Sequence, residues 1–176
     1  MKKEFVRHLL VLIILLTVTI LIKRWFSLSC WPYVVGGIIG TILPDLDHFL
    51  YLYLNPQELT SQRSLYMSRK GQFLATLRLL AETRSERKNL IFHTFIFMAI
   101  FLVLTIFVLT SSASIFGRGL VLAFYLHLSI DALVDWRETG ALENWFRNFP
   151  VSIAQDKLGL LVLANLILVF LLAVLQ

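Results

Sequence analysis

The sequence has only one cysteine, Cys30, among its 176 residues. A single thiol excludes an internal disulfide and leaves too few thiolates for a cysteine-based zinc site. Charged residues are also scarce, at 15% of the chain, whereas 58% of the residues are hydrophobic. Soluble domains carry about 25% charged residues. The composition therefore predicts an integral membrane protein.

Five hydrophobic segments are long enough to cross a bilayer, which requires about 20 residues. They run from Phe5 to Phe26, Leu28 to Leu54, Leu90 to Leu109, Gly119 to Trp136 and Leu158 to Leu175. The second segment reaches this length only if the polar stretch Pro44–His48 is counted within it. We therefore expect an all-α fold, in which residues 1–176 form one membrane-embedded helix bundle with about five transmembrane helices.

The distribution of Lys and Arg predicts the orientation of these helices. With the N-terminus inside, 13 of the 16 basic residues fall on the inner side, and only Lys23, Arg24 and Arg118 fall outside. Cytoplasmic loops carry such an excess of positive charge. We expect a prokaryotic plasma (inner) membrane protein with a cytoplasmic N-terminus and an external C-terminus. The net charge of +5 then belongs to these loops, and no nucleic-acid partner is expected.

Two inner stretches have apolar residues at helical spacing. One lies in the basic loop 55–89, and the other follows the fourth hydrophobic segment. Such helices either lie in the headgroup region of the membrane or cap the bundle from below, and the sequence favours neither alternative. The apolar positions are Phe73, Leu77, Leu80 and Ala81 in the first stretch, and Leu142, Trp145, Phe146 and Phe149 in the second.

Ionisable residues inside the hydrophobic segments are few and fall at one depth. The predicted topology places them all in the inner half of the membrane, although three separate segments contribute them. A charged residue in a spanning helix costs about 2.5–3.5 kcal/mol on insertion scales, so its presence indicates a function. These residues are Asp45, Asp47, His48, His93, His127 and Asp131. We interpret His8 as an interface residue and Asp135 as a solvated boundary residue.

The spacing of these residues predicts shared helix faces. His127 and Asp131 are four residues apart, and Asp45 and His48 would share a face if a helix restarts at Pro44. Proline is tolerated in the first turn of a helix, which predicts a break at this point. Imidazole and carboxylate groups together are suitable ligands for zinc and similar divalent metals.

Each residue also has an ordinary structural interpretation. His93 alone could be a buried hydrogen-bonding residue, and His127 and Asp131 could simply bind one another. The Pro44–His48 stretch alone could be a polar turn. The position of all these residues in one layer favours a shared site.

The motifs resemble those of the YdjM-like membrane-bound metal-dependent hydrolases. The matching pieces are Gly36–Gly40, Leu43–His48, Phe92–Thr94 and His127–Asp131. This resemblance implies a helical inner-membrane protein with a metal site built from these Asp and His residues. The family is itself distantly like zinc-dependent phospholipases C. The sequence departs from the family pattern at Lys88 and Asn89, where relatives have a His-Arg pair.

We therefore expect a metal-dependent hydrolase that acts on a lipid ester or phosphodiester at the cytoplasmic leaflet. The expected metal is zinc, with manganese or magnesium as alternatives, and the expected partners are membrane lipid and a second copy of the chain. Asp45 and Asp47 are the catalytic candidates, and both also belong to the predicted ligand set. The alternative is a small ion or proton transporter, or a channel subunit, that uses the same cluster. The predicted ligands are Asp45, Asp47, His48, His93, His127 and Asp131.

Overall fold

The computed structural model describes residues 2–87, 89–147, 149–150 and 153–176. Within these ranges the chain is all-helical and contains no β-strand, which confirms the predicted fold class. The helices are α1 (Lys2–Lys23), α2 (Trp31–Ile42), α3 (Leu46–Leu54), α4 (Leu59–Arg69), α5 (Phe73–Glu82), α6 (Phe95–Ser111), α7 (Ile115–Thr139), α8 (Glu143–Phe146) and α9 (Gln155–Leu175).

Three helices in the described part of the chain are long and apolar enough to cross a membrane. They are α1, α7 and α9, and α6 is a shorter apolar helix of 17 residues. Helices α2 and α3 follow one another across a short turn and cover the second hydrophobic segment. The expected membrane-protein character is therefore supported by helix length and composition.

Helix α7 lies at the centre of the bundle and carries part of the candidate site. Ser114 begins the helix, because its side-chain oxygen accepts the amide hydrogen of Gly117 at 3.1 Å. Gly140 ends it in the left-handed conformation, with φ of 69°, which glycine adopts without steric cost. The side chains from Val121 to Ala132 are all buried, so a polar group on this stretch must find its partners inside the bundle.

Glycines allow α2 and α7 to pack at very short range. A Cβ atom at Gly36 or Gly40 would collide with the backbone carbonyl of Phe116 or Leu120 on α7. A Cβ atom at Gly119 would collide with the carbonyl of Tyr33 on α2. Small residues at four-residue spacing permit such close contact between membrane helices. This contact fixes the depth of the Pro44–His48 stretch relative to α7.

The second hydrophobic segment breaks at the position expected from the sequence. A 3₁₀ turn spans Leu43–Asp45 and separates α2 from α3. The turn leaves Asp45 exposed, whereas Asp47 and His48 in the first turn of α3 are buried. The α-helix resumes at Leu46, two residues after the restart at Pro44 that the sequence predicted.

Helix α6 begins later than expected, at Phe95 instead of Leu90. Residues 89–94 are non-helical, because the carboxylate of Asp47 binds the backbone amides of Ile91 and Phe92. Thr94 then starts the helix by accepting the amide hydrogen of Phe97 at 3.3 Å. His93 thus lies in the entry loop of α6 and not on the helix itself.

The two amphipathic stretches behave differently. In the second stretch Leu142 and Trp145 are buried, so α8 and its entry cap the bundle. In α5 only Leu80 and Thr76 are buried, whereas Phe73 and Leu77 are exposed. An exposed apolar edge is typical of a helix in the headgroup region.

Candidate metal-binding site

The carboxylate of Asp131 is the centre of the polar cluster. It is completely buried and contacts three imidazoles from three separate parts of the chain. Its Oδ2 atom lies 2.9 Å from His93 Nε2 and 3.1 Å from His127 Nε2. Its Oδ1 atom lies 3.1 Å from His8 Nε2 and 3.0 Å from a guanidinium nitrogen of Arg84. Of the residues in the predicted set, His93 and His127 contact Asp131 directly, whereas Asp45, Asp47 and His48 have no contact with it in the described structure.

One ring nitrogen of His127, Nε2, lies close to two carboxylates. Its Nε2 atom lies 3.1 Å from Asp131 and 3.6 Å from Asp45. Among the described residues, neither of its ring nitrogens has a hydrogen-bond partner of proper geometry, although the side chain is buried. A buried imidazole in this state is suited to bind a further group at the ring nitrogen.

Asp47 positions the entry loop of α6. Its two oxygens accept the amide hydrogens of Ile91 at 3.1 Å and Phe92 at 2.6 Å. Its Oδ2 atom also lies 3.2 Å from His93 Nδ1. A carboxylate on one imidazole nitrogen fixes the tautomer and orientation that the other nitrogen presents. Asp47 therefore aims His93 Nε2 at Asp131.

His48 lies on the other side of His93 and is bound by Arg87. The two imidazole rings stack at 5.4 Å, and Arg87 Nε donates a hydrogen bond to His48 Nδ1 at 3.2 Å. Arg87 also donates to the Thr83 hydroxyl and to the Leu80 carbonyl. Burial lowers the pKa of Arg87 to about 10, so its guanidinium remains protonated at neutral pH.

The sequence interpretation missed His8 and Arg84 as members of this cluster. His8 stacks on His127, with ring centroids 4.1 Å apart. The predicted topology already placed His8 in the inner half of the first segment, at the depth of the other cluster residues, and this position could have indicated that it belongs with them. Arg84 comes from the basic loop, and no feature distinguished it there from the other basic residues. Asp135 accepts a hydrogen bond from Trp145 Nε1 at 2.8 Å and is thus tied to α8.

His8, His127 and Asp131 form a buried group that could hold a metal ion. One ligand atom from each lies within 4.8 Å of the others. Two imidazoles and a carboxylate form a common catalytic zinc ligand set, and the unsatisfied ring nitrogens of His127 are compatible with that role. Arg84 contacts the same carboxylate, so a metal at this position would share the charge of Asp131 with the guanidinium.

An apolar cavity of about 340 Å³ opens beside this group. Its polar residues include His8, His127 and Asp45, and its walls come from α1, α2, α3 and α5. We call it the apolar cavity. Its apolar lining residues are Leu9, Leu12, Ile38, Ile42, Phe49, Leu77, Leu80 and Ala81.

The position at which the sequence departs from the family pattern is described only in part. Asn89 is exposed, and Lys88 lies outside the described residues. Comparisons with protein-family models, with curated proteins and with solved structures give no match for this chain. The resemblance to the YdjM-like hydrolases therefore stays a prediction that depends on the motifs.

Proposed function

We propose that the protein is a membrane-embedded, divalent-metal-dependent hydrolase that cleaves an ester or phosphodiester bond of a lipid at the cytoplasmic leaflet. The main support is the buried carboxylate of Asp131, which is surrounded by three imidazoles next to an apolar cavity. Zinc is the preferred metal because the ligands are nitrogen and oxygen atoms, and manganese or magnesium are the alternatives.

The residues His8, His127 and Asp131 would hold the metal. A bound divalent ion supplies a Lewis acid and lowers the pKa of water toward neutrality. His93 would orient Asp131 through the 2.9 Å contact to Oδ2. Asp47 and His48 would act behind His93 as positioning residues. Asp47 already accepts two backbone amide hydrogens, and His48 accepts a hydrogen bond from the Arg87 guanidinium.

Asp45 has the position of a general base. Its side chain is 54% exposed, lines the apolar cavity and lies 3.6 Å from His127. A carboxylate at such a position can accept a proton from a water molecule in the cavity. Of the two predicted catalytic aspartates, Asp45 therefore has the environment that the proposed reaction needs.

The alternative function, an ion or proton pathway, requires polar groups along the whole bundle. The polar cluster instead lies toward one end of α7, where Asp131 and Asp135 are located. On the other side of Asp131, the described side chains of α7 from Val121 to Leu126 are apolar apart from the Tyr125 hydroxyl, which binds Asn165 at 2.6 Å. The geometry therefore favours a site that opens to one leaflet.

Metal analysis of the purified protein tests this proposal. We expect close to one divalent metal per chain in the wild type and a loss of at least about 90% of it in His127→Ala and Asp131→Asn, because each change removes a ligand. Asp156→Asn is the control, since this exposed carboxylate lies at the start of α9. Equal metal content in all four proteins, or none in the wild type, would remove the proposal.

Turnover then separates a hydrolase from a metal-binding protein without this activity. The metal-loaded wild type should release a water-soluble or lipid product from mixed phospholipid vesicles, and Asp45→Asn should retain the metal but lose most of this activity. Full activity in Asp45→Asn would exclude it as the base.

A further inference from the structure

A second cavity, of about 400 Å³, lies on the other side of the cluster. We call it the polar cavity. Its lining includes His93 and Trp145, together with four carboxylates from α5, α7 and α8. These acidic residues are Glu82, Asp135, Glu138 and Glu143.

The two cavities share three lining residues, Ala81, Arg84 and Arg87. Of these three, Arg84 contacts Asp131, at 3.0 Å, and Arg87 contacts His48. A molecule that occupied both cavities would therefore lie against Arg84. The bond between its apolar and polar parts would come to lie at the cluster.

The charges at the shared wall and in the polar cavity are of opposite sign. Arg84 and Arg87 are cationic, whereas the polar cavity beyond them has more carboxylates than guanidinium groups. Glu82 has a cation of its own, since Arg78 binds it at 2.9 Å. Glu138 and Glu143 are exposed and line this cavity. An ammonium group is favoured in such surroundings by the negative charge of the carboxylates.

We propose that the substrate is a lipid with an aminoalkyl phosphate headgroup. Its hydrocarbon lies in the apolar cavity, its phosphate binds Arg84, and its ammonium group lies near Glu138 and Glu143. The phosphate would replace Asp135, which is only 3.8 Å from Arg84 and is the weaker of its two carboxylate contacts. The cleavage of this lipid rests on the proposed function, whereas its binding does not.

Hydrolysis of such a headgroup balances with water alone. The oxygen of water forms a bond to phosphorus, and the bond from phosphorus to one ester oxygen breaks. Asp45 takes a proton from the water, and the departing oxygen receives a proton in turn. One product remains apolar and can return to the membrane, and the other is polar and can leave through the polar cavity.

Lipid binding by the purified protein tests the substrate class without turnover. Native mass spectrometry of the detergent-solubilised protein would compare phosphatidylethanolamine with phosphatidylglycerol of the same acyl chains. We expect wild type to prefer phosphatidylethanolamine by about fivefold, the size expected from two exposed ion pairs. The double variant Glu138→Gln/Glu143→Gln should reduce this preference to about one. The matched control, Glu86→Gln/Asp156→Asn, removes two exposed charges outside both cavities. This variant should retain the preference for phosphatidylethanolamine.

A second pair of variants tests the position of the hydrocarbon. Leu77 lines the apolar cavity and Leu74, on the same helix, is exposed and does not line it. Leu77→Trp should weaken the binding of both lipids, and Leu74→Trp should not. Equal binding of the two lipids by the wild type, or a preference for phosphatidylglycerol, would overturn the inference. A preference for phosphatidylethanolamine without hydrolysis by metal-loaded protein would instead overturn the proposed function alone.

Discussion

Asp47 binds His93 across 46 residues of sequence, through a 3.2 Å contact between Oδ2 and Nδ1. The same carboxylate accepts the amide hydrogens of Ile91 and Phe92. The helix break at Pro44 therefore has a structural consequence in another part of the chain. It places a carboxylate where the entry loop of α6 must pass, and this loop carries His93 to Asp131.

Replacing Asp47 by Asn should weaken the site without removing a direct ligand. The amide has one acceptor oxygen in place of two, so one of the backbone N–H groups loses its partner. We expect metal affinity to fall about 10–100-fold, as for other residues behind a metal ligand. The free energy of unfolding should fall by about 1–3 kcal/mol. Competition with a chelator of known affinity measures the change in metal affinity, and Asp156→Asn is the control. Unchanged affinity would mean that His93 is oriented without Asp47.

The close packing of α2 against α7 gives a prediction that is independent of any ligand. Gly119→Ala places a methyl group against the Tyr33 carbonyl and should lower the free energy of unfolding by about 1–3 kcal/mol. Gly117→Ala, two residues earlier, meets no atom closer than 3.4 Å and should be neutral or slightly stabilising, because alanine favours the helix. Unfolding in mixed detergent micelles measures both. Equal effects would indicate that α2 and α7 are farther apart.

Much of this fold could be predicted from the sequence, because membrane helices are long apolar segments. The break at Pro44 was also predictable, since proline lacks an amide hydrogen and the adjacent residues are polar. The start of α6 was not, because the apolar pattern continues through Leu90–Phe92. The contact with Asp47, which is distant in sequence, holds Ile91 and Phe92 outside the helix, and the cap at Thr94 then starts it.

The candidate site, like the fold, could be predicted from the sequence only in part. The positions of His93, His127 and Asp131 in one layer followed from helix direction alone. The separate roles of Asp45 and Asp47 did not, since exposure and hydrogen-bond partners decide them. Arg84 could not be chosen from among the basic loop residues, because its contact with Asp131 depends on how the loop folds under the bundle.

The pair Asp131 and Arg84 should show strong energetic coupling. Asp131→Asn leaves Arg84 without its closest carboxylate, and Arg84→Gln removes a cation from a completely buried anion. Each single change should destabilise the metal-free protein by about 3–5 kcal/mol. The double variant should recover part of this loss, with a coupling energy of about 0.5–3 kcal/mol. A double-mutant cycle of unfolding free energies measures it, and strictly additive effects would show that the two groups do not interact.

Arg87 should be sensitive to a change that keeps its charge. Its guanidinium donates to His48 through Nε, to Thr83 through Nη1 and to Leu80 through Nη2, and it is buried. Lysine presents one nitrogen and cannot reproduce this fork, so Arg87→Lys leaves at least one buried acceptor unpaired. We expect a loss of about 1–3 kcal/mol in the free energy of unfolding.

Arg78→Lys is the matched control for this change. Arg78 is exposed on α5 and binds Glu82 four residues later, and lysine can form the same type of pair. We expect an effect within about 0.5 kcal/mol, as for other surface substitutions. If Arg87→Lys were equally mild, the contact between Arg87 and His48 would not be needed to keep His48 beside His93, and the role of Arg87 would be limited to its charge.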